Sequence, residues 1–270
     1  MLYLTPMLTA YILILAFIFG AVFASFLGCM GWRIAHKESI SKGRSHCDTC
    51  GHVLGARDLI PIISFLARKG RCGYCGAPIS KSTLVGEIVL AVVFVVTTMR
   101  YDVTPMLVLS LFFICILYLL TMVDIYIQEI PDACLAIAIV ARVIYYFVFE
   151  GFAWKSLLEL IGNGLSVSLP LLLLTLLMEK LLQKEAMGGG DIKLIFVTGM
   201  YLGWQKNLLM LLIACIVGIV VGILQSRGDS SVEEEEGMEN YFPFGPAIAI
   251  ATVFTMWIGD GVLDWYMSLF

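Results

Sequence analysis

Charged side chains are scarce in this sequence. Lys, Arg, Asp and Glu make up only 14% of its 270 residues and histidine occurs three times, whereas hydrophobic residues make up 60%. A soluble domain carries about 25% charged residues, so this composition excludes an ordinary soluble globular protein. The mean hydropathy of +0.94 agrees. The sequence therefore predicts a protein surrounded by membrane lipid, and we expect no nucleic-acid partner.

Apolar stretches of transmembrane length recur along the chain, and about 20 such residues cross a bilayer core of roughly 30 Å as a helix. Eight spans are predicted, at residues 8–32, 84–99, 105–123, 132–149, 157–182, 192–203, 207–224 and 243–265, of which the second and sixth are short. No A-x-A cleavage site follows the first span, so we expect it to remain as a signal anchor. The predicted fold is an all-α polytopic membrane protein with about eight transmembrane helices.

Positive charge is concentrated in one loop. Residues 33–82 hold nine of the seventeen Lys and Arg against three acids. The positive-inside rule predicts that this loop is cytoplasmic and that the N-terminus lies outside. In a bacterium the membrane would be the cytoplasmic (inner) membrane, and composition leaves a eukaryotic membrane open. The predicted domains are a first transmembrane helix (1–32), a cytoplasmic loop (33–82) and a transmembrane core (83–270). A second cytoplasmic loop is predicted at roughly residues 225–241. It carries an acidic run, Glu233 to Glu236, with Glu239, and is predicted to be a hydrated linker.

The basic loop contains two copies of a C-x-x-C-G knuckle, formed by Cys47, Cys50 and Gly51 and by Cys72, Cys75 and Gly76. Tetrahedral zinc takes four thiolates, and a C-x-x-C turn that ends in Gly lets two sulfurs reach one ion. The pattern predicts a structural zinc site, because four protein ligands leave no position for water. Two disulfides are the alternative, which a reducing cytoplasm disfavours.

Two acids fall at the ends of predicted spans, where a carboxylate is a functional candidate. Asp124 ends the third span and Asp191 opens the sixth, so the predicted topology gives both the same cytoplasmic depth. Such a pair suits aspartyl protease chemistry, in which one ionised carboxylate takes a proton from water while its protonated neighbour donates to the carbonyl oxygen. The pair should titrate as a unit.

Purely structural roles remain open for Asp191 and for the other acids near the ends of the predicted spans. Asp191 follows three glycines, Gly188 to Gly190, which let a substrate backbone approach closely but equally suit a helix start with Asp191 as its N-cap. Asp132 follows Pro131, which is ordinary helix-start chemistry. For Glu87 and Glu129, at membrane boundaries, we expect a solvated or capping role.

Arg142 falls inside the predicted fourth span. An unpaired guanidinium is costly there, so we expect a buried partner or a watery cavity. Asn163, at comparable depth in the fifth span, is the hypothesised partner.

Several motifs in this order resemble one family, the type IV prepilin peptidases of pilus, type II secretion and competence systems. The resemblance covers nearly the whole chain. It rests on residues 24–27 (ASFL) with Arg33, the paired knuckles, residues 58–65 (DLIPIISF) and 68–72 (RKGRC), Gly86-Glu87, Asp124 with residues 130–132 (IPD), residues 187–194 around the GxGD-x-K-L signature, and residues 243–246 (PFGP).

The resemblance implies an intramembrane aspartyl protease with Asp124 and Asp191 as catalytic acids and with Gly188, Gly189, Gly190 and Lys193 in a substrate or active-site segment. Members remove a short basic leader that ends in glycine from prepilins or pseudopilins at the cytoplasmic membrane face. Many then methylate the new N-terminus with S-adenosylmethionine. Gly28 stands where the family usually has Asn. The sequence contains no Rossmann-type glycine turn that would indicate a cofactor site, since Gly188 to Gly190 follow a membrane span. Methyl transfer is therefore an expectation from the resemblance alone.

Two other functions compete with proteolysis. A transporter or channel would use the intramembrane acids to relay protons or bind cations, and would show flux in liposomes without proteolysis. A noncatalytic scaffold would bind pilin helices through the loop, and would keep its biological function after Asp-to-Asn changes.

Overall fold

The computed structural model describes residues 5–40, 43–47, 49–151, 153–183, 187–228 and 243–269. In these ranges the chain is built from helices and loops, with two isolated β-bridges and no β-strand. The elements are α1 (Pro6–Ala35), α2 (Ile63–Ala67), α3 (Lys81–Tyr101), α4 (Pro105–Ile127), α5 (Asp132–Tyr145) with a π-helical turn (Tyr146–Glu150), α6 (Trp154–Leu182), α7 (Gly189–Leu202), α8 (Trp204–Gly228) and α9 (Gly245–Met267). The predicted acidic run at 233–236 lies outside the described residues.

Seven helices in the described ranges are long and apolar enough to cross a membrane: α1, α3, α4, α5 with its π-helical turn, α6, α8 and α9. Many of their large apolar side chains are exposed, as lipid-facing helices require. The predicted all-α polytopic fold class is therefore confirmed, and the short predicted second span is the 21-residue α3.

The predicted sixth span is helix α7, which has only 14 residues. At 1.5 Å per residue it is about 21 Å long, shorter than the roughly 30 Å hydrocarbon core. Nine of its residues are buried by neighbouring helices. Its apolar sequence therefore reflects packing in the protein interior as much as contact with lipid.

The chain divides into two compact units, Met1–Tyr126 and Ile127–Phe270. In the first unit α1 packs against α3 over much of its length. Gly20 makes this close approach possible, because a Cβ atom there would lie 2.6 Å from the Cα of Ala91. Small residues at such contacts are the usual basis of helix association in membranes.

Gly20→Ala is expected to destabilise this unit by about 1–3 kcal/mol, because the added methyl meets backbone that cannot rotate away. Gly28→Ala is the matched control on the same helix, since its Cβ would meet nothing closer than the hydroxyl of Tyr118 at 3.9 Å. Thermal unfolding in detergent should show a lower midpoint for Gly20→Ala and an unchanged or slightly higher one for Gly28→Ala. Equal midpoints would contradict the tight contact.

In the second unit α7 is the central helix and packs against α5, α6, α8 and α9. Gly199 of α7 lies against Gly164 of α6, where an added Cβ would come within 2.8 Å of the Gly164 Cα. The fully buried Asn207 of α8 accepts a hydrogen bond from the Thr198 hydroxyl at 2.8 Å and donates to the Ile195 carbonyl at 3.1 Å. These contacts fix the position of α7.

Arg142 in α5 is bound on two sides. Its Nε donates to the carbonyl of Met200 at 3.1 Å and its Nη1 to the carboxylate of Glu150 at 2.9 Å. The prediction of a partner is confirmed, but the hypothesised partner, Asn163, is wrong. The ion pair lies within a single span, because Arg142 and Glu150 both belong to the stretch Asp132–Glu150.

Candidate active site and cysteine cluster

The four knuckle cysteines come together in the loop of the first unit. The sulfur atoms of Cys47, Cys50, Cys72 and Cys75 all lie within 4.8 Å of one another, and the Cys47 and Cys75 sulfurs are 3.8 Å apart. Four thiolates at about 2.3 Å around tetrahedral zinc have sulfurs about 3.8 Å apart, so the donor set fits that ion. All eight cysteines are free, and the disulfide alternative therefore does not apply.

The two knuckles have the same backbone. In each, the first cysteine's N–H donates to the carbonyl five residues later (Cys47 to His52, 3.0 Å; Cys72 to Ala77, 2.8 Å), and its carbonyl accepts from the closing glycine (Gly51, 2.8 Å; Gly76, 3.0 Å). Both glycines have positive φ, +69° and +73°. Only glycine adopts this conformation at little cost, which explains why each C-x-x-C ends in Gly.

Backbone N–H groups favour the thiolate form of the first cysteine of each knuckle. Those of Cys50 and Thr49 lower the pKa of Cys47 to about 6. In the second knuckle, those of Cys75 and Tyr74 lower the pKa of Cys72. A depressed thiol pKa favours the thiolate, which is the form that binds metal.

Asp58 holds the loop between the knuckles together. Its carboxylate accepts hydrogen bonds from the Gly55 N–H at 2.9 Å, from Arg68 and from the Tyr74 hydroxyl at 3.2 Å. The Gly55 N–H, followed by the charge of Arg68, lowers the pKa of Asp58, which therefore stays ionised at neutral pH. The ring of His52 stacks on Tyr74 at 3.5 Å, so this histidine packs against the loop.

The two candidate catalytic acids occupy defined positions on helices. Asp124 lies in the last turn of α4 and is only 4% exposed. Asp191 lies in the first turn of α7 and is half-buried. The N-cap of α7 is Gly188, without a side-chain cap, so the alternative of Asp191 as an N-cap is wrong. A carboxylate in the first turn interacts favourably with the helix dipole.

The predicted active-site segment is mostly helical. Gly188 precedes α7, whereas Gly189, Gly190 and Lys193 belong to its first turns. A Cβ at Gly190 would lie 3.0 Å from the Cβ of Ile130, so glycine lets this turn approach the segment before α5.

Asp132 and Lys193 form an ion pair across the starts of two helices. The Lys193 Nζ donates to Asp132 Oδ1 at 2.7 Å, with both side chains more than half exposed. Asp132 opens α5 after Pro131 at the N-cap, so the helix-start role predicted for it is confirmed. The carboxylate of Asp132 is therefore paired with Lys193, which was predicted to belong to the active-site segment.

A cavity of about 450 Å³ opens beside this ion pair, between α5, α6 and α7. Its walls are mainly apolar, and Leu135, Ile139, Leu169 and Phe196 are among the residues that line it. Ile192 and Lys193, which follow Asp191 directly, also line it. The cavity can therefore receive an apolar segment next to a candidate catalytic acid.

Comparison with known sequences identifies the family. The model for the Bacterial Peptidase A24 N-terminal domain matches residues 18–101, and the model for the Type IV leader peptidase family matches residues 111–223. A prepilin leader peptidase/N-methyltransferase from Aeromonas hydrophila is 31% identical over 231 residues, which cover 84% of this chain and 76% of the relative. The chain belongs to the type IV leader peptidase family. It is therefore a multi-pass membrane enzyme of the prepilin peptidase class.

Other members of the family align over almost their full length. The prepilin leader peptidase/N-methyltransferase of Bacillus subtilis is 29% identical over 253 residues, 94% of this chain and 97% of the relative. The protein of the same name from Pseudomonas putida is 28% identical over 285 residues, 96% of this chain and 95% of the relative. No solved structure matches the chain.

The two family matches divide the candidate sites between them. Residues 111–223 include Asp124 and Asp191, and residues 18–101 include the cysteine cluster. Sequence reasoning missed one residue of the N-terminal match, Glu87, which was expected to be solvated or capping. Glu87 is only 5% exposed and its Oε2 accepts the backbone N–H of Ile62 at 2.7 Å. The available signal was its position seven residues into an apolar helix, where acids are rare.

Proposed function

We propose that this protein removes the short basic leader from type IV prepilins or pseudopilins at the cytoplasmic face of the bacterial inner membrane. Its N-terminus lies outside and its cysteine loop lies in the cytoplasm. Asp124 and Asp191 are the catalytic acids. The observation that carries the proposal is that the segment matching the type IV leader peptidase family has Asp191 in the first turn of its central, buried helix.

The reaction needs no group other than water and the two acids. One carboxylate, ionised, takes a proton from the attacking water, whose oxygen bonds to the scissile carbonyl carbon. The other carboxyl, kept protonated by the neighbouring charge, donates its proton to the carbonyl oxygen. Collapse of the tetrahedral intermediate breaks the C–N bond. The carboxyl that took the proton from water gives it to the leaving amine, and the carboxylate that had donated its proton takes one back from a hydroxyl of the intermediate.

Three features of the described residues support these roles. Asp124 is buried at the end of an apolar helix, where a carboxylate without a function is costly. Asp191 is not used as an N-cap. Ile130, six residues after Asp124 in the sequence, packs against Gly190, the neighbour of Asp191. The turn that contains Asp191 therefore packs closely against the segment before α5 within the second unit.

The apolar cavity beside Asp191 suits the substrate. Prepilin-type substrates carry a hydrophobic helix after the cleavage point, and the lining of Leu135, Ile139 and Phe196 offers apolar contacts for its first residues.

We further propose zinc as the ion of the cysteine cluster. Cys47, Cys50, Cys72 and Cys75 would hold it, and its role is to stabilise the loop, since four protein ligands complete the coordination sphere. Methyl transfer to the new N-terminus belongs to the proposal on the names of the relatives alone. The glycines at 188–190 begin a helix and do not follow a β-strand, so they form no nucleotide-binding turn, and no residue is assigned to S-adenosylmethionine.

Co-expression with a prepilin, followed by mass spectrometry of the product N-terminus, tests the activity. The expected product lacks the leader and begins directly after its final glycine. An additional mass of one methyl group on the new amine would show the second activity in the same spectrum. A prepilin with the glycine changed to a bulky residue serves as the control and should stay uncut. An uncut wild-type prepilin, with both proteins present in the membrane, would refute the peptidase proposal.

A further inference from the structure

The cysteine loop contains an apolar segment at residues 59–66, Leu-Ile-Pro-Ile-Ile-Ser-Phe-Leu. Four of its large side chains are exposed: Leu59 (45%), Ile60 (43%), Ile63 (64%) and Leu66 (61%). Ile63 and Leu66 lie three residues apart on α2, so they share a helix face. Clustered exposed apolar side chains mark an interaction surface rather than a solvated loop.

The 59–66 segment is tied to a membrane helix. The N–H of Ile62 donates to the buried carboxylate of Glu87 at 2.7 Å. Glu87 lies six residues after Lys81, the first residue of α3, which is about 9 Å along the helix axis. A Glu side chain reaches back only a few ångströms toward the helix start. The segment therefore lies beside the end of the membrane helix rather than beyond it.

The lipid-facing side chains of α3 lie at the same level. Val85, Ile88 and Val89 flank Glu87 and are 56%, 40% and 52% exposed. Because α3 is a candidate membrane span, we expect these three exposed apolar side chains to face lipid. An apolar segment held at the same level along α3 is therefore expected to face lipid as well.

The backbone shows that this placement is built into the fold. Ile62 has φ +61° and ψ −53°, in a tight turn closed by a hydrogen bond from the Ile63 N–H to the Pro61 carbonyl at 2.6 Å. These angles are those of the classic γ-turn, which is rarer and more strained than the inverse form. A β-branched residue with positive φ is also an outlier. Such strain persists only where the surrounding structure holds it, and here Glu87 binds the N–H of the strained residue.

The charges around the segment complement a membrane surface. Arg57 precedes it, Lys69 and Arg71 follow it, and all three are exposed. The acid among them, Asp58, is already bound to Arg68 and Tyr74. Apolar side chains bordered by exposed cations are the pattern of segments that lie in the interface of anionic bilayers.

We propose that residues 59–66 lie in the membrane interface, with Leu59, Ile60, Ile63 and Leu66 among the lipid chains and with Arg57, Lys69 and Arg71 at anionic headgroups. The segment anchors the cysteine loop to the bilayer surface between the two knuckles. The inference stands on the loop and α3 alone and does not depend on the catalytic proposal.

Photo-crosslinking of the full chain in vesicles tests the inference. The probe, p-benzoylphenylalanine, replaces Ile63 or Leu66 in separate variants, reconstituted in vesicles of mixed phosphatidylglycerol and phosphatidylcholine. After illumination, intact-mass spectrometry should show lipid adducts at both positions. Val53, 44% exposed on the first knuckle and outside the segment, is the negative control. Val89 on α3 is the positive control for lipid contact.

Lipid adducts at Val89 with none at Ile63 or Leu66 would overturn the proposal. So would crosslinked dimers at positions 63 and 66 in place of lipid adducts, since another copy of the chain would then cover the segment. The adduct mass also identifies the lipid. We expect phosphatidylglycerol to be enriched at least about twofold over its bulk fraction, because cations near the surface attract it. Combined Arg57→Gln, Lys69→Gln and Arg71→Gln changes should remove the enrichment, and enrichment that persists would refute the headgroup contacts.

Discussion

Asp124→Asn and Asp191→Asn are each expected to reduce prepilin cleavage by about 10²–10⁴-fold, the usual contribution of a positioned general acid or base. Asn keeps the size of the side chain but can neither take the proton from water nor deliver one as an acid. The measurement is the initial rate of leader removal from a purified prepilin by the protein in proteoliposomes. Unchanged thermal unfolding of each variant would show that the loss is chemical rather than structural.

Asp132→Asn is the matched control for this prediction. Asp132 is also a carboxylate at the start of a membrane helix, and it lies within 2.7 Å of Lys193, close in sequence to Asp191. Its carboxylate is exposed and paired, so its loss should change the cleavage rate by less than about tenfold. Full activity of Asp191→Asn, or complete inactivity of Asp132→Asn alone, would mean that the acids have been assigned incorrectly. A transporter, by contrast, would lose ion flux in the Asp124 or Asp191 variant without ever showing cleavage.

Cys72→Ser is expected to remove the proposed zinc ion from the loop and to unfold the loop. Structural zinc sites contribute apparent binding free energies of about 10–16 kcal/mol in isolated peptides, and this binding energy is folding energy for a loop without a large core. Cys72 is the buried member of the cluster. Water from outside therefore cannot take the place of the lost thiolate as a ligand. Zinc analysis of the purified protein should fall from about one ion per chain to near zero.

Trypsin sensitivity provides the second measurement on Cys72→Ser. Arg68, Lys69 and Arg71 lie between the knuckles, and an unfolded loop exposes the bonds that follow them. Cys215→Ser is the control, because Cys215 is an exposed thiol on the membrane helix α8, away from the cluster. It should keep the zinc content and the trypsin pattern of the parent protein. A parent protein that contains no zinc and has all thiols free would refute the metal site.

The cysteine cluster is the part of the molecule that the sequence predicted most completely. Two C-x-x-C-G runs determine the local turns, because each glycine takes the positive φ that the turn requires. What the spacing left open was whether the two turns face each other. The distances between their sulfurs answer this, and they depend on the fold of the intervening loop around Asp58.

Helix α7 shows where hydropathy stops being informative. An apolar run of this kind predicts a membrane span, yet the helix has 14 residues and is covered by four neighbours. An amino acid in a protein interior and one facing lipid have the same polarity, so composition does not distinguish them. The glycine contact with α6 and the Asn207 hydrogen bonds, which do distinguish them, join residues from different helices.

The sequence did not reveal the partners of Glu87 and Arg142, for a related reason. Their cost in an apolar span is visible in the sequence, and a partner for Arg142 was predicted. For Arg142 the hypothesised partner, Asn163, was wrong, and for Glu87 no partner was predicted. Glu87 and the Nε of Arg142 bind backbone atoms of Ile62 and Met200, which leave no trace in a sequence, and the ion pair of Arg142 with Glu150 depends on the π-helical turn between them.

The sequence by itself determined the membrane-spanning class, the cysteine knuckles and the candidate acids, because each of these is expressed in local composition or spacing. Only the tertiary structure decided that α7 is a central helix, that Lys193 pairs with Asp132, and that Glu87 holds a strained apolar segment against α3. These facts depend on which distant residues meet. Such meetings follow from packing of the whole chain, where a backbone N–H or a missing Cβ counts as much as any side chain.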